Sequence, residues 1–144
     1  MTYALGLDNP KNQDNLGHVL RAASCYGASM VATTGSRIVD VCDTTNGHMR
    51  IPTLKTDDLF KVIPHGFVPV AVELTDSAES LISYEHPDNA FYMFGAEDAT
   101  LGERILGRCR DVIYVPTRRC MNLSACVNVV CYDRMVKCGG ICNE

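Results

Sequence analysis

Apolar runs of strand length alternate with helix-spaced stretches along the whole chain, and this alternation constrains the fold more than any other feature. A helix between two strands gives the chain enough length to return and pair in parallel. The segments "TYALGL" (2–7), "SMVATT" (29–34), "FVPVAVEL" (67–74), "NAFYMFG" (89–95) and "DVIYVP" (111–116) read as strands. A helix is expected from about Asn15, with Leu16, Val19, Leu20 and Ala23 on one face, and Gly27 is its expected stop. Further helices are expected over 56–63, where "TDDLFKVI" opens on a cap and acids, from Asp76 to about Ile82, over 100–109, and from about Asn122 to Lys137. The stretch 35–53 is the least regular and suggests only a short strand at 38–41. The pattern predicts an α/β fold: a mostly parallel sheet with helices on both faces. The 144 residues fit a single domain over 1–144.

Composition narrows the function classes. Hydrophobic residues make up 47% of the chain, enough for a real core, so disorder is not expected. No apolar run is long enough to span a bilayer, and the N-terminus lacks a basic region ahead of a long apolar stretch. The expectation is therefore no membrane partner and a cytoplasmic location. The 8 cysteines form no CxxC, and with no export signal they read as free buried thiols. "CGGIC" (Cys138, Cys142) has the spacing to oxidise or hold a metal, yet no second pair or Cys/His box completes a tetrahedral site. No metal is expected. The net charge of −4 argues against a non-specific nucleic-acid binder, but it is unevenly spread. Residues 1–103 carry net −8, and residues 104–137 carry net +5 from Arg104, Arg108, Arg110, Arg118, Arg119, Arg134 and Lys137 against Asp111 and Asp133. That distribution is a localised electrostatic footprint, a cationic C-terminal quarter on an acidic body, although by composition alone ordinary surface charge is the better reading.

Ligands of such sheets bind at the C-terminal ends of the strands, so the loops there carry the chemistry. The first loop leads to Asn15, Gly17 and Arg21. Asn15 suits a helix cap, and Arg21 lies nearly two turns further on, so the two need not share a face. The loop "FGAEDATLGERIL" offers Gly95, which permits close approach to the backbone, and Glu97, placed to accept bonds from loop amides. In "VPTRRCMNLS", Pro116 ends the strand, Asn122 can cap the last helix, and Ser124 lies in its first turn, where outward-pointing amides favour an electron-rich group. A flavodoxin-like or nucleotide-binding module is an alternative for this fold class. "DNPKNQDNLG" counts against it, with one glycine, no GxGxxG and no P-loop lysine.

Taken together, three stretches resemble the three motifs of the SPOUT superfamily of RNA methyltransferases, in its SpoU (TrmH-like) branch. "NLGHVLRAASCYGAS" (15–29) is similar to the first, "FYMFGAEDATLG" (91–102) to the second, and "VIYVPTRRCMNLSACVNVVCYD" (112–133) to the third. The short length and "RRCMNLS" look most like the minimal subgroup that 2′-O-methylates the tRNA wobble nucleotide. The resemblance implies a deep C-terminal trefoil knot over about 90–140, a homodimer, S-adenosylmethionine as cofactor, and RNA, in that subgroup tRNA, as substrate. Carried over, it assigns cofactor contacts to Val72, Glu73, Gly95, Val115, Cys120, Met121 and Leu123. Arg21, Asn15 and Asn122 become catalytic, with Glu97 structural, and Arg118 and Arg119 face RNA phosphate. Cys120 stands where the family usually has serine, which replaces a hydroxyl by a weaker hydrogen-bonding thiol. That departure favours the alternative of a non-catalytic RNA-binding relative.

Overall fold

The computed structural model describes residues 1–38 and 51–140. Among them, seven strands form one sheet: β1 (Thr2–Leu7), β2 (Val31–Thr33), β3 (Thr53–Lys55), β4 (Val68–Val72), β5 (Glu79–Ser80), β6 (Asn89–Phe94) and β7 (Asp111–Tyr114), in the order β3-β2-β1-β6-β4-β7-β5. Every pairing among the described residues is parallel. Three α-helices accompany it: α1 (Gln13–Tyr26), α2 (Glu103–Leu106) and α3 (Leu123–Lys137).

Both faces of the sheet are covered, which is why its central strands read as continuous apolar runs. Successive side chains of β6 go to opposite faces. Ala90, Tyr92 and Phe94 join Tyr3, Leu5, Leu7, Val70, Val72 and Ile113 beneath α1 and α3. Phe91 and Met93 join Ala4, Ala32 and Ala71 beneath Leu59, Leu101 and Ile105. Helix α1 contributes Leu16, Val19, Leu20 and Ala23 to the first layer, and α3 contributes Val127, Val130 and Cys131.

The local signals account for most of the helix ends. Asn12, not Asn15, caps α1: its side chain accepts from the amides of Asp14 and Asn15, and Asp14 complements the first turn. Gly27 closes the helix at φ 75°, a left-handed position where glycine carries no Cβ penalty. Four expectations are corrected. The helix over 56–63 is only a 3-10 turn at Leu59–Val62, capped by Asp58. The helix from Asp76 is replaced by β5, an edge strand of two residues. The helix over 100–109 shrinks to one turn, held between Gly102 and Gly107. Strand β3 lies where no strand was expected. The strand expected at 38–41 falls almost wholly on 39–41, which lie outside the described residues.

The last helix is fastened by a buried cation. Arg134 is 4% exposed. Its guanidinium donates to Pro87 O at 2.8 Å, Tyr92 Oη at 3.1 Å, Asp88 O at 2.7 Å and Thr2 O at 3.3 Å. Beside it, the buried His86 imidazole bonds Tyr92 Oη at 2.6 Å and Asp133 at 2.8 Å. Because Tyr92 Oη accepts from Arg134, its own hydroxyl hydrogen is free to go to His86 Nδ1, which leaves Nε2–H to donate to Asp133. Lys137 turns onto the carbonyls of Leu81, Ile82 and Tyr84. Arg108 pairs with Asp58 and lies over the Phe60 ring, and Arg110 pairs with Asp111. These contacts divide the cationic quarter outlined by the charge count. Most of those cations hold the chain's own acceptors, whereas Arg118 and Arg119 are exposed in the turn before α3.

Candidate active site

The sheet reverses its order between β1 and β6, so the loops leaving these two strands diverge around a crevice at their C-terminal ends. Side chains from three segments meet across it. Glu97, in the loop after β6, accepts from the amide of Lys11 at 2.9 Å, the amide of Asn12 at 3.4 Å and Asn15 Nδ2 at 3.0 Å. Asn15 then accepts from Asn122 Nδ2 at 3.1 Å. Asn122 caps α3 by accepting from the amides of Ser124 and Ala125, and Ser124 Oγ donates to the same oxygen at 2.6 Å. A single chain of hydrogen bonds thus ties the loop after β6, the first turn of α1 and the N-terminus of α3. Desolvation raises the Glu97 carboxyl, but the amides and Asn15 aimed at it outweigh this and hold it below its ordinary value. Glu97 is an ionised anchor and a poor base.

Arg21 is exposed on α1, nearly two turns beyond Asn15. It lines a groove of about 310 Å³ with His18, Ala22 and Cys25 of α1 and with Ser124, Ala125 and Asn128 of α3. The groove starts where the hydrogen-bond chain ends, because Ser124 belongs to both. Asn15 itself does not line the groove and does not bond Arg21.

The residues assigned to a cofactor gather at three adjacent strand ends. In the sheet β4 lies between β6 and β7, with Val72 opposite both Phe94 and Ile113. This register places Val72 and Glu73, Gly95, and Val115 side by side at one edge. The Glu73 amide donates to Ile113 O, and its carboxylate accepts from Leu101 N at 3.1 Å, so it braces the loop after β6. A Cβ on Gly95 would meet Ala99 O at 3.2 Å and Leu101 N at 3.3 Å, tighter than the loop backbone allows without moving. Met121 and Leu74 stand exposed on the flanking loops, while Leu123 is buried in the core. Cys120 is exposed and free. Cys126 and Cys131 are core thiols, pushed up to about 11 by burial, and are not nucleophiles. The cysteines among the described residues are free, as expected, although Cys25 and Cys120 are exposed rather than buried.

Sequence reasoning missed His18, Asn128 and Thr75. His18 follows Asn15 by three residues, the spacing that places two side chains on one helix face. Thr75 Oγ1, in the loop after β4, is buried with no hydrogen-bond partner, and nothing in the sequence signals that.

A parallel α/β sheet whose strand-end loops build one cleft defines a domain of the doubly wound class, with its candidate site at the strand ends. The chain belongs to the SpoU rRNA Methylase family, whose model matches residues 2–132. No curated protein matches it. Solved structures share the fold at low identity. A structure described as showing the 2-OH methylation of C/U34 on tRNA aligns with a TM-score of 0.80 at 20% identity, covering 95% of this chain and 96% of that one. The TrmH/SpoU tRNA modifying enzyme of A. aeolicus aligns at 0.83 and 17% identity, covering 94% and 74%. The SpoU methyltransferase AviRb from Streptomyces viridochromogenes, in complex with AdoMet, aligns at 0.79 and 16% identity, with 92% of this chain covering 58% of that one. The chain therefore spans little more than half the length of AviRb.

Proposed function

We propose that this chain transfers a methyl group from S-adenosylmethionine to a ribose 2′-hydroxyl of RNA, and that the RNA is a tRNA. The observation that carries the proposal is the Glu97–Asn15–Asn122–Ser124 chain, because it joins all three motif segments in one cleft and opens onto the groove that Arg21 lines. The likeness in fold to the tRNA 2-OH methylation structure, at a TM-score of 0.80, supports the tRNA reading.

The strand-end site suits S-adenosylmethionine by its donor chemistry. The unpartnered Thr75 hydroxyl would be a polar contact, Leu74 and Met121 offer apolar surface for a purine, and Gly95 lets the loop that follows it turn tightly at the strand end. Val72, Glu73, Val115, Cys120 and Leu123 complete the set that would hold it. When bound it supplies an electrophilic methyl on a sulfonium. The protein's part is alignment, which can supply much of the rate. Asn122 and Asn15 orient the ribose, and Arg21 holds the adjoining phosphate and stabilises developing alkoxide charge. Arg118 and Arg119, exposed beside the turn, meet further phosphates, so binding should weaken steeply with salt.

Two further features belong to this reading. The first is a threaded C-terminus. Strand β7 lies between β4 and β5, and α3 ends against the 81–88 segment and Thr2 through Lys137 and Arg134, contacts that support a knot over about 90–140. The second is a homodimer. Tyr132 and Val136 of α3 and Ile82 beside it expose apolar surface of the kind a second copy would cover. The expected result for Arg21→Ala is loss of methyl incorporation into RNA with S-adenosylmethionine binding retained by calorimetry. Near-normal turnover in that variant removes Arg21 from the mechanism.

A further inference from the structure

We propose that His18 is the base that takes the proton of the ribose 2′-hydroxyl. The inference rests on the methyl-transfer reading above and fills a gap in it. A 2′-hydroxyl must lose a proton as it attacks, and the cleft holds few groups able to accept one. Glu97 is ionised but already accepts two backbone amides and Asn15, which lowers its basicity. The Arg21 guanidinium has no lone pair to offer at neutral pH. Asp8, after β1, is engaged by the Thr34 hydroxyl at 2.8 Å. His86 is fully occupied between Tyr92 and Asp133 beneath α3.

His18 is exposed on α1 and lines the groove together with Arg21 and Ser124. Asn15, His18 and Arg21 follow one another at three-residue spacing, each about 60° further round α1, so the imidazole stands between the ribose-orienting amide and the guanidinium. From α1, the titratable and charged groups facing His18 in the groove are Arg21 and Cys25; from α3 the lining is Ser124, Ala125 and Asn128, none of them titratable. Imidazole is the side chain suited to accept a proton near neutral pH. In the step, the 2′-oxygen forms its bond to the methyl carbon as the carbon–sulfur bond breaks. The electron pair returns to sulfur, the sulfonium becomes a neutral thioether, and the hydroxyl proton passes to an imidazole nitrogen of His18. The resulting imidazolium loses the proton to water, and Arg21 holds the phosphate next to it.

The test uses the whole chain, a tRNA transcript that the wild type methylates, and saturating S-adenosylmethionine. Single-turnover rates of wild type, His18→Gln and His18→Ala are measured from about pH 6 to 8. The expected result is a loss of about 10²–10⁴-fold in both variants, with the wild type's fall in rate at acid pH absent from them. Affinities for tRNA and for S-adenosylmethionine should stay within about threefold. A readout independent of activity is carbethoxylation of His18 by diethyl pyrocarbonate, located by mass spectrometry. Bound tRNA should protect His18, and S-adenosylmethionine alone should not. Variants with rates within about threefold of wild type would overturn the role of His18 and leave the methyltransferase reading standing. So would equal carbethoxylation with and without tRNA. A wild type that methylates no ribose in any tRNA overturns both.

Discussion

Replacing Arg134 by methionine should destabilise the chain severely, and the cost can be worked from its partners. The side chain is 4% exposed and donates to three backbone carbonyls and one phenol oxygen. Methionine fills similar space but donates nothing, so Thr2 O, Pro87 O, Asp88 O and Tyr92 Oη all lose a donor in a place water reaches poorly. A hydrogen bond to a charged group contributes roughly 1.5–3 kcal/mol, and four of them on one guanidinium are not additive. Removing one member of a buried polar set costs about 3–5 kcal/mol, partly offset by the desolvation that the cation no longer suffers. We expect about 3 kcal/mol, a large share of the 5–15 kcal/mol that holds a typical domain together. For a chain of this length that lowers Tm by roughly 10 °C. Urea unfolding followed by circular dichroism gives the number through the shift in midpoint at constant slope. Arg134→Lys should also lose most of what Arg134 contributes, because one ammonium cannot reach acceptors arranged for a planar fork. A loss below about 1 kcal/mol for Arg134→Met would refute the reasoning, since that is the scale of a single ordinary hydrogen bond.

Other outcomes follow from the same geometry. Asn15→Ala should uncouple Glu97 from Asn122 and lower turnover by at least about tenfold while costing only about 1 kcal/mol of stability, as read by methyl incorporation and thermal unfolding. Gly95→Val should push the loop at Ala99–Leu101 aside and weaken S-adenosylmethionine about tenfold or more by calorimetry, with the fold intact by circular dichroism. Burial outweighs Asp133 and holds the His86 imidazole below its ordinary 6.5, so the unfolded chain takes up that proton first. Stability should be complete above pH 6.5 and decline as pH falls below it, and His86→Gln should flatten that part of the curve in unfolding measurements at stepped pH.

The central architecture was legible because burial on both faces leaves no room for polar residues. Strands β1, β4, β6 and β7 therefore appear as unbroken apolar runs, and their expected bounds agree with the structure to within two residues. The edge strands were not legible. Thr53-Leu54-Lys55 and Glu79-Ser80 pair on one side only, are half exposed, and carry ordinary surface residues. The short α2 was overextended because Leu101 and Ile105 mimic a helical face, although Leu101 reaches the core from the loop. The meeting of the three loops could be inferred from the family resemblance, but local signals misassigned Asn15. Asn12 and Asn15 are equally good caps by type, and only the position of Glu97 across the crevice decides that Asn12 caps while Asn15 bridges. Charge counted along the chain likewise does not reveal that Arg134 and Lys137 point inward at carbonyls.

The pairing of β1 with β6 has a consequence for how the chain is made. Thr2 lies opposite Asn89 and Leu7 opposite Phe94, so the N-terminal strand finds its central neighbour 87 residues later. Until that neighbour has emerged from the ribosome, β1 has at most the three residues of β2 as partner and presents an open apolar edge. Distant pairings of this kind slow folding and leave sticky edges exposed while synthesis continues. The nascent first half should therefore depend on holding chaperones more than the finished chain does, and chains arrested before Asn89 should aggregate where those arrested after α3 do not.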